Sequence, residues 1–331
     1  MAKNISITIA AGDMDRLAAI KDGRVQVEGC DITFIPMEPE EVFFRAFRYS
    51  EFDCCELSFS SHMRVTSQDK ANYVGIPAFV SRVFRHSAFY IRTDRGITKP
   101  EDLRGKLVGL PEYQMTAPVW MRGILEDEYG IKPEEIRWRS GGQEEAGRDE
   151  RTPFEAPPGL DLEAIPQDRT LVEMFEAGEL DALMTARAPS SFDLGKPNID
   201  RLWPNFREVE KEYYKKTKMF PIMHLMGLRK DLHEAYPWLA GSLYKAFVQA
   251  RDIAYEDLAK TAALSVALPW VDSERRDTIE LMGNDFWRYG IEECRHEIEA
   301  LARYSHSHGL SERLLTPEDL FAESTFDISK I

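Results

Sequence analysis

Residues 97–131, ITKPEDLRGKLVGLPEYQMTAPVWMRGILEDEYGI, hold a complete strand-and-helix unit in a short span. Pro100 opens a short helix and KLVGL (106–110) has the apolar run of a strand. Thr116 can cap a long helix whose Pro118 falls in the first turn, where a missing N–H is tolerated. Gly130 suits the end of that helix, because glycine adopts the positive φ of a C-terminal cap without strain. IRWRS (136–140) supplies the next strand. A strand, a crossover helix and another strand form the repeating unit of a parallel, doubly wound sheet.

The same alternation extends in both directions. ISITIA (5–10), CDITFIPM (30–37) and FDCCELS (52–58) have strand character, with helical spacing around Met14 to Ile20 and in PEEVFFRAFR (39–48). SSHMRVTSQD begins another helix, with Ser60 or Ser61 available as its cap. Downstream, TLVEMFEAGELDALMTARAP places a helix, a turn at Gly178 and a strand at 181–186. Long helices are expected at 237–260 and from Ser273 to about Ser305, interrupted near Tyr289 and Gly290. Between 141 and 169 the chain is polar and rich in Gly and Pro, an irregular connection with room for a hairpin. Arg148 within it is either a solvated charge or a lid contact. No internal repeat is evident.

The chain has 331 residues, 43% hydrophobic and 30% charged, a soluble globular composition long enough for two cores. Its net charge of −15 argues against nucleic acid and anionic membrane as partners. No run approaches a membrane span. The start, MAKNISITIAAGDMDR, leaves no room for a leader, so the chain is expected in the cytoplasm. Cys30, Cys54, Cys55 and Cys294 have no ligand spacing and are expected as reduced, packed thiols. His306 and His308 resemble a short metal pair, but no acidic or cysteine partner is spaced to complete it.

An anionic ligand of so acidic a chain needs a local cluster of cations, and FVSRVFRHSAFYI (79–91) offers one. Taken as a single strand, it places Arg82 and His86 on one face, roughly 13 Å apart at about 3.3 Å per residue, with Arg85 on the other. Arg82 and His86 are then a carboxylate clamp and a donor, while Arg85 is structural.

Residues 92–130 together with FEAGELDALMTARAP (175–189) resemble the type II periplasmic-binding-protein fold. GGQEEAGRDE (141–150), FPIMHLMGLRKDLHEAYPWLAGSLYKAF (220–247), DFWRYGIEECR (285–295) and LLTPEDLF (314–321) are similar to the 4,5-dihydroxyphthalate decarboxylase family. The resemblance covers nearly the whole chain. It implies an α/β protein of two doubly wound lobes with a ligand cleft between them. The larger, discontinuous lobe would hold 1–94 and 190–331 with a helical C-terminal part, and the second lobe 95–189.

Ligands in such sheets collect at the carboxyl ends of strands and at helix N-termini. Candidates by that rule are Gly12 and Asp13 after the first strand, and Glu56, Ser60 and His62 after the third. Tyr113, Gln114 and Thr116 start the long helix, and Arg187 lies near the second crossing, where it also suits a hinge salt bridge. His224 sits in an apolar strand, as a core histidine or a catalytic one.

The resemblance implies decarboxylation of a dihydroxylated aromatic dicarboxylate by ring protonation, with no metal or organic cofactor. Arg82 or Arg187 would clamp the carboxylate that stays, and His62 or His86 would give the proton. Glu56 or His224 would serve the hydroxyl. A solute-binding protein for a small carboxylate, or another enzyme of this fold such as a menaquinone-pathway relative, are the alternatives. Trp287 and Tyr289 would either fill the core or join copies into a homo-oligomer.

Overall fold

The computed structural model describes residues 4–147 and 155–326, so Arg148 lies outside the described residues. Its strands in chain order are β1 (Ile5–Ala11), β2 (Cys30–Pro36), β3 (Cys54–Ser58), β4 (Tyr73–Arg82), β5 (Phe89–Arg92), β6 (Leu107–Leu110), β7 (Arg137–Ser140), β8 (Leu162–Ala164), β9 (Ala182–Met184), β10 (Ile199–Arg201) and β11 (Ile222–Arg229). They form two sheets, ordered β2-β1-β3-β11-β4 and β10-β5-β9-β6-β7-β8. Contacts divide the chain into two units. Met1–Arg82, Ile222–Glu299 and Leu315–Ile331 form the first, and Val83–Pro221 with Ala300–Leu314 the second.

The boundaries depart from 94 and 190 for a reason visible in the hydrogen bonding. β5 pairs antiparallel with β9 and with β10, which draws 89–92 and 199–201 into the second sheet. The stretch 79–91 is therefore not one strand. β4 ends at Arg82, a 3-10 turn covers His86–Ala88, and β5 begins at Phe89. The expected shared face of Arg82 and His86 is thereby lost, since the two residues belong to different units. The connection after β7 makes no hairpin among the described residues; β8 pairs parallel to β7.

In the first unit β1, β2 and β3 run parallel, and β11 is antiparallel to both β3 and β4. β3 is buried at all its positions, as a central strand covered on both faces requires. The second sheet has a parallel set, β9-β6-β7-β8, over a core that includes Leu171, Phe175, Leu180 and Leu183.

The helix Thr116–Tyr129 belongs to the second unit and is buried from Thr116 through Leu125. Segment 300–314 packs on it rather than staying with the first unit as expected. A Cβ at Gly123 would lie 2.3 Å from the Tyr304 ring, so only glycine lets the segment approach this closely. Trp120 meets Tyr304 edge-on at 5.7 Å, and Asp127 holds both Arg303 and the Tyr304 hydroxyl. All four cysteines are buried and free, and burial pushes the Cys30 thiol up to about 11 and Cys294 to about 12. No helix among the described residues is long and apolar enough to cross a membrane.

Candidate active site

The carboxyl ends of β1 and β3 and the start of antiparallel β11 meet at one edge of the first sheet. Register places His224 opposite Ser58 and Met226 opposite Glu56, so Glu56 and His224 are diagonal neighbours on one face. His224 Nδ1 lies 2.6 Å from Glu56 Oε1. The other carboxylate oxygen, Oε2, accepts from the Gly12 N–H at 2.9 Å. Glu56 is fully buried, while the His224 side chain is 21% exposed. Phe43 packs edge-on against the imidazole at 4.8 Å and limits its rotation.

These contacts assign the tautomer. An ionised carboxylate only accepts, so Nδ1 carries the hydrogen and Nε2 is the nitrogen left for a ligand. A buried carboxylate orienting a partly exposed imidazole is the arrangement that acid–base catalysis needs.

β3 passes directly into the helix Phe59–Ser67. Ser58 is its N-cap residue but makes no cap bond through its side chain, and Ser60 is buried in the first turn. The expected cap at Ser60 or Ser61 is thus displaced to Ser58, and Ser61 donates to the Ser58 hydroxyl instead. Likewise Met115, not Thr116, is the N-cap residue of Thr116–Tyr129.

His62 lies in the same helix with Nε2 at 3.2 Å from the Leu320 carbonyl, so that nitrogen donates. Its Nδ1 is buried without a hydrogen-bond partner among the described residues. Burial lowers its pKa to about 4. The ring ties the C-terminal segment to the first unit, which leaves it poorly suited to give a proton.

Arg82 is enclosed as well. Its side chain is 1% exposed, with Nη1 3.3 Å from Glu297, and Nη2 donates to the Arg288 carbonyl at 2.8 Å. Glu297 also pairs with Arg288 at 2.9 Å. A guanidinium held this way anchors β4 to the C-terminal helices, which corrects its expected place on a cleft wall.

In the second unit, the His86 ring lies between Trp203 and Tyr213, with centroids 5.2 and 5.1 Å away. Burial lowers its pKa to about 4. Arg85 is buried and donates to the Ala186 carbonyl at 3.4 Å, and burial lowers its pKa to about 10. Tyr113, Gln114 and Thr116 are all buried. The Arg122 guanidinium covers the Tyr113 ring at 3.6 Å and donates to its carbonyl at 2.9 Å.

Arg187 is exposed, and its carbonyl accepts from Gln143 Nε2 at 3.2 Å. Glu144 receives the Ser190 N–H and hydroxyl, so Gln143 and Glu144 of the GGQEE stretch fasten the segment after β9. His308 pairs with Glu126 at 3.0 Å and His306 with the Ser311 carbonyl at 3.1 Å. Among the described residues no group of three or more His, Cys, Asp or Glu side chains is arranged for a metal ion.

The structure brings together Gly12, Glu56 and His224, and sets Ser58 and Ser60 at the adjoining helix start. Phe43 was missed; its helix carries only an apolar spacing that fits a core equally well.

No protein-family model matches the chain. Its fold is similar to the alkanesulfonate-binding protein SsuA of Xanthomonas axonopodis pv. citri, at 12% identity over 98% of this chain and 99% of that one, with a TM-score of 0.51. It is also similar to the periplasmic aliphatic sulphonate binding protein SsuA of Escherichia coli, at 11% identity over 98% and 99%, with a TM-score of 0.52. The fold class is therefore the α/β, periplasmic-binding-protein-like one.

In sequence the chain is 43% identical over 327 residues, 99% of either chain, to the 4,5-dihydroxyphthalate decarboxylase of Comamonas testosteroni. It is 42% identical over 211 residues, 64% of this chain and 82% of the relative, to the protein of that name from Pseudomonas putida. The chain belongs to the 4,5-dihydroxyphthalate decarboxylase family and is a carboxy-lyase.

Proposed function

We propose that the protein converts 4,5-dihydroxyphthalate to 3,4-dihydroxybenzoate and CO2, with His224 moving the hydroxyl proton and Glu56 orienting His224. The observation that carries this reading is the 2.6 Å Glu56–His224 bond at the carboxyl edge of the first sheet.

Nε2 of His224 takes the proton from the hydroxyl para to the departing carboxylate. Charge moves to the ring carbon bearing that group, and protonation there gives a non-aromatic dienone. The C–CO2 bond then breaks, its electron pair restores the ring, and the phenolate recovers its proton from His224. One proton is consumed overall, at the ring carbon.

His62 and His86 were the candidates for that carbon proton. Burial holds both neutral, with pKa values of about 4, and a neutral imidazole is a very weak acid. The reading therefore takes the proton from a solvent acid, hydronium or a protonated buffer, which supplies the one proton consumed. The remaining carboxylate suits the first-turn N–H groups at Ser60, where the helix start favours an anion. Arg187, Tyr113, Gln114 and Thr116 remain proposed substrate contacts, each read out as a rise in KM on substitution.

Purified protein given 4,5-dihydroxyphthalate, without added metal or organic cofactor, should release CO2 and form 3,4-dihydroxybenzoate in equal amounts. Binding without turnover at high enzyme concentration would sink the proposed substrate and favour a binding role.

A further inference from the structure

In the second unit the helix Phe206–Thr217 lines a cavity of about 410 Å³ with Glu208, Glu212, Tyr213 and Lys216. Their spacing of three and four residues puts them on one helix face. Glu128 and Tyr129, from the last turn of Thr116–Tyr129, and His86 face the same space. Its volume falls within the roughly 300–1,000 Å³ of small-molecule pockets.

The charge of the lining is one-sided. Three carboxylates stand against Lys216 alone, and Lys216 is already paired with Glu128 at 2.8 Å. Lys215, which pairs with Glu212 at 2.6 Å, lies outside the lining. Glu208 and Glu212 are one turn apart, where like charges destabilise a helix unless a cation screens them. The helix Thr116–Tyr129 also presents its C-terminal end here, the negative pole of its dipole. Tyr129 registers this field: burial, and then the charge of Glu128, hold its pKa above the ordinary tyrosine value.

His86 supplies a separate sign of a ligand. The residue is 1% exposed, and its Nδ1 is buried with no hydrogen-bond partner among the described residues. Trp203 and Tyr213 hold the ring from two sides. Burial keeps the imidazole neutral, so with its hydrogen on Nε2 it accepts at Nδ1. A buried acceptor without a donor is costly, and a ligand N–H entering from the cavity removes that cost. Tyr129 and Tyr213 bring two further rings, whose faces attract cations.

We propose that this cavity binds a small organic ammonium ion, with its N–H on His86 Nδ1, its charge beside Glu208 and Glu212, and its apolar part against Tyr129 and Tyr213. A metal ion is a poorer occupant, since no group of three or more His, Cys, Asp or Glu side chains among the described residues is arranged to ligate one. An aromatic dicarboxylate is repelled by the same carboxylates. The cavity is therefore a second site, in the unit that does not hold Glu56 and His224.

Titration calorimetry of the full chain with phenethylammonium tests the proposal, with 2-phenylethanol as the uncharged probe of similar shape. The ammonium should bind roughly tenfold more tightly than the alcohol. Glu208→Gln/Glu212→Gln, at two exposed positions, should weaken it by a similar factor while turnover and Tm stay unchanged. His86→Phe keeps a ring in place but removes the acceptor. It should weaken phenethylammonium several-fold and leave benzyltrimethylammonium, which has no N–H, as before. Absence of phenethylammonium binding at about 10 mM would overturn the proposal. So would equal affinity for the alcohol, an affinity untouched in the double glutamine variant, or a His86→Phe variant that binds both ammonium ions like the unaltered protein.

Discussion

Among the described residues two Glu–His pairs occur, one in each unit, and they are built inside out relative to each other. In Glu56–His224 the carboxylate is fully buried and the imidazole is 21% exposed. In Glu126–His308 the imidazole is 1% exposed and the carboxylate 28%. The first pair leaves its imidazole partly exposed and fixes it with a carboxylate that the Gly12 N–H keeps in place. The second turns its ring into the packing, stacked on Tyr304, with Nδ1 buried. The residue types are the same in both; the proposed acid–base role of the first pair and latch role of the second rest on which partner faces outward.

Exchanging the histidines tests this distinction most strongly. His224→Gln should lower kcat by about 10²- to 10⁴-fold, the usual worth of a positioned acid–base group, with an unchanged thermal midpoint. His308→Gln should leave kcat within a few-fold and cost about 1–3 kcal/mol of stability, measured by urea unfolding. Loss of turnover in the His308 variant with full stability would reverse the two assignments.

Glu56→Gln should come next, at about 10²-fold in kcat. The amide oxygen still accepts from Gly12, which turns the NH2 toward Nδ1 and forces the ring proton onto Nε2. Because that change is one of tautomer, kcat should fall more than KM rises. A variant with wild-type kcat would show that His224 needs no orienting carboxylate.

The strand–helix unit at 97–131 was legible because each of its signals is local: Pro100 near a turn, Gly130 at a helix end, and an apolar run between. Glu56 and His224 were each legible as candidates but not as a pair. They stand 168 positions apart, and only the antiparallel insertion of β11 beside β3 makes them neighbours. The stretch 79–91 misled for a related reason. Apolar residues run on both sides of Arg82–His86 with no Gly or Pro to mark a break, but such a run cannot say which sheet each half joins, and the chain changes sheet between Arg82 and Phe89. Arg82 looked like a ligand clamp because its partner Glu297 is 215 positions away.

The latch reading also predicts a steric effect. Gly123→Ala would drive a methyl group to 2.3 Å from the Tyr304 ring, pushing segment 300–314 off its helix. Overpacking of this kind costs about 1–3 kcal/mol. Combined with His308→Gln the loss should be less than additive, because both act on one docked segment. Full additivity in urea unfolding would separate His308 from that segment.

The smallest effect is the pH dependence of the latch. Burial lowers the His308 pKa, and the Glu126 hydrogen bond opposes it. A histidine whose pKa is lower folded than unfolded binds its proton more readily after unfolding, so its contribution to stability is present above about pH 6.5 and fades as the pH falls. His62 acts in the same direction, between about 6.5 and its folded value of about 4. Stability measured from pH 7 to pH 5 should therefore decline, and both His308→Gln and His62→Gln should flatten the decline. Glu126 offsets part of the burial penalty at His308. An unchanged slope in the His308 variant would mean that the ring holds its proton equally in both states, making the second pair an ion pair instead of a neutral latch.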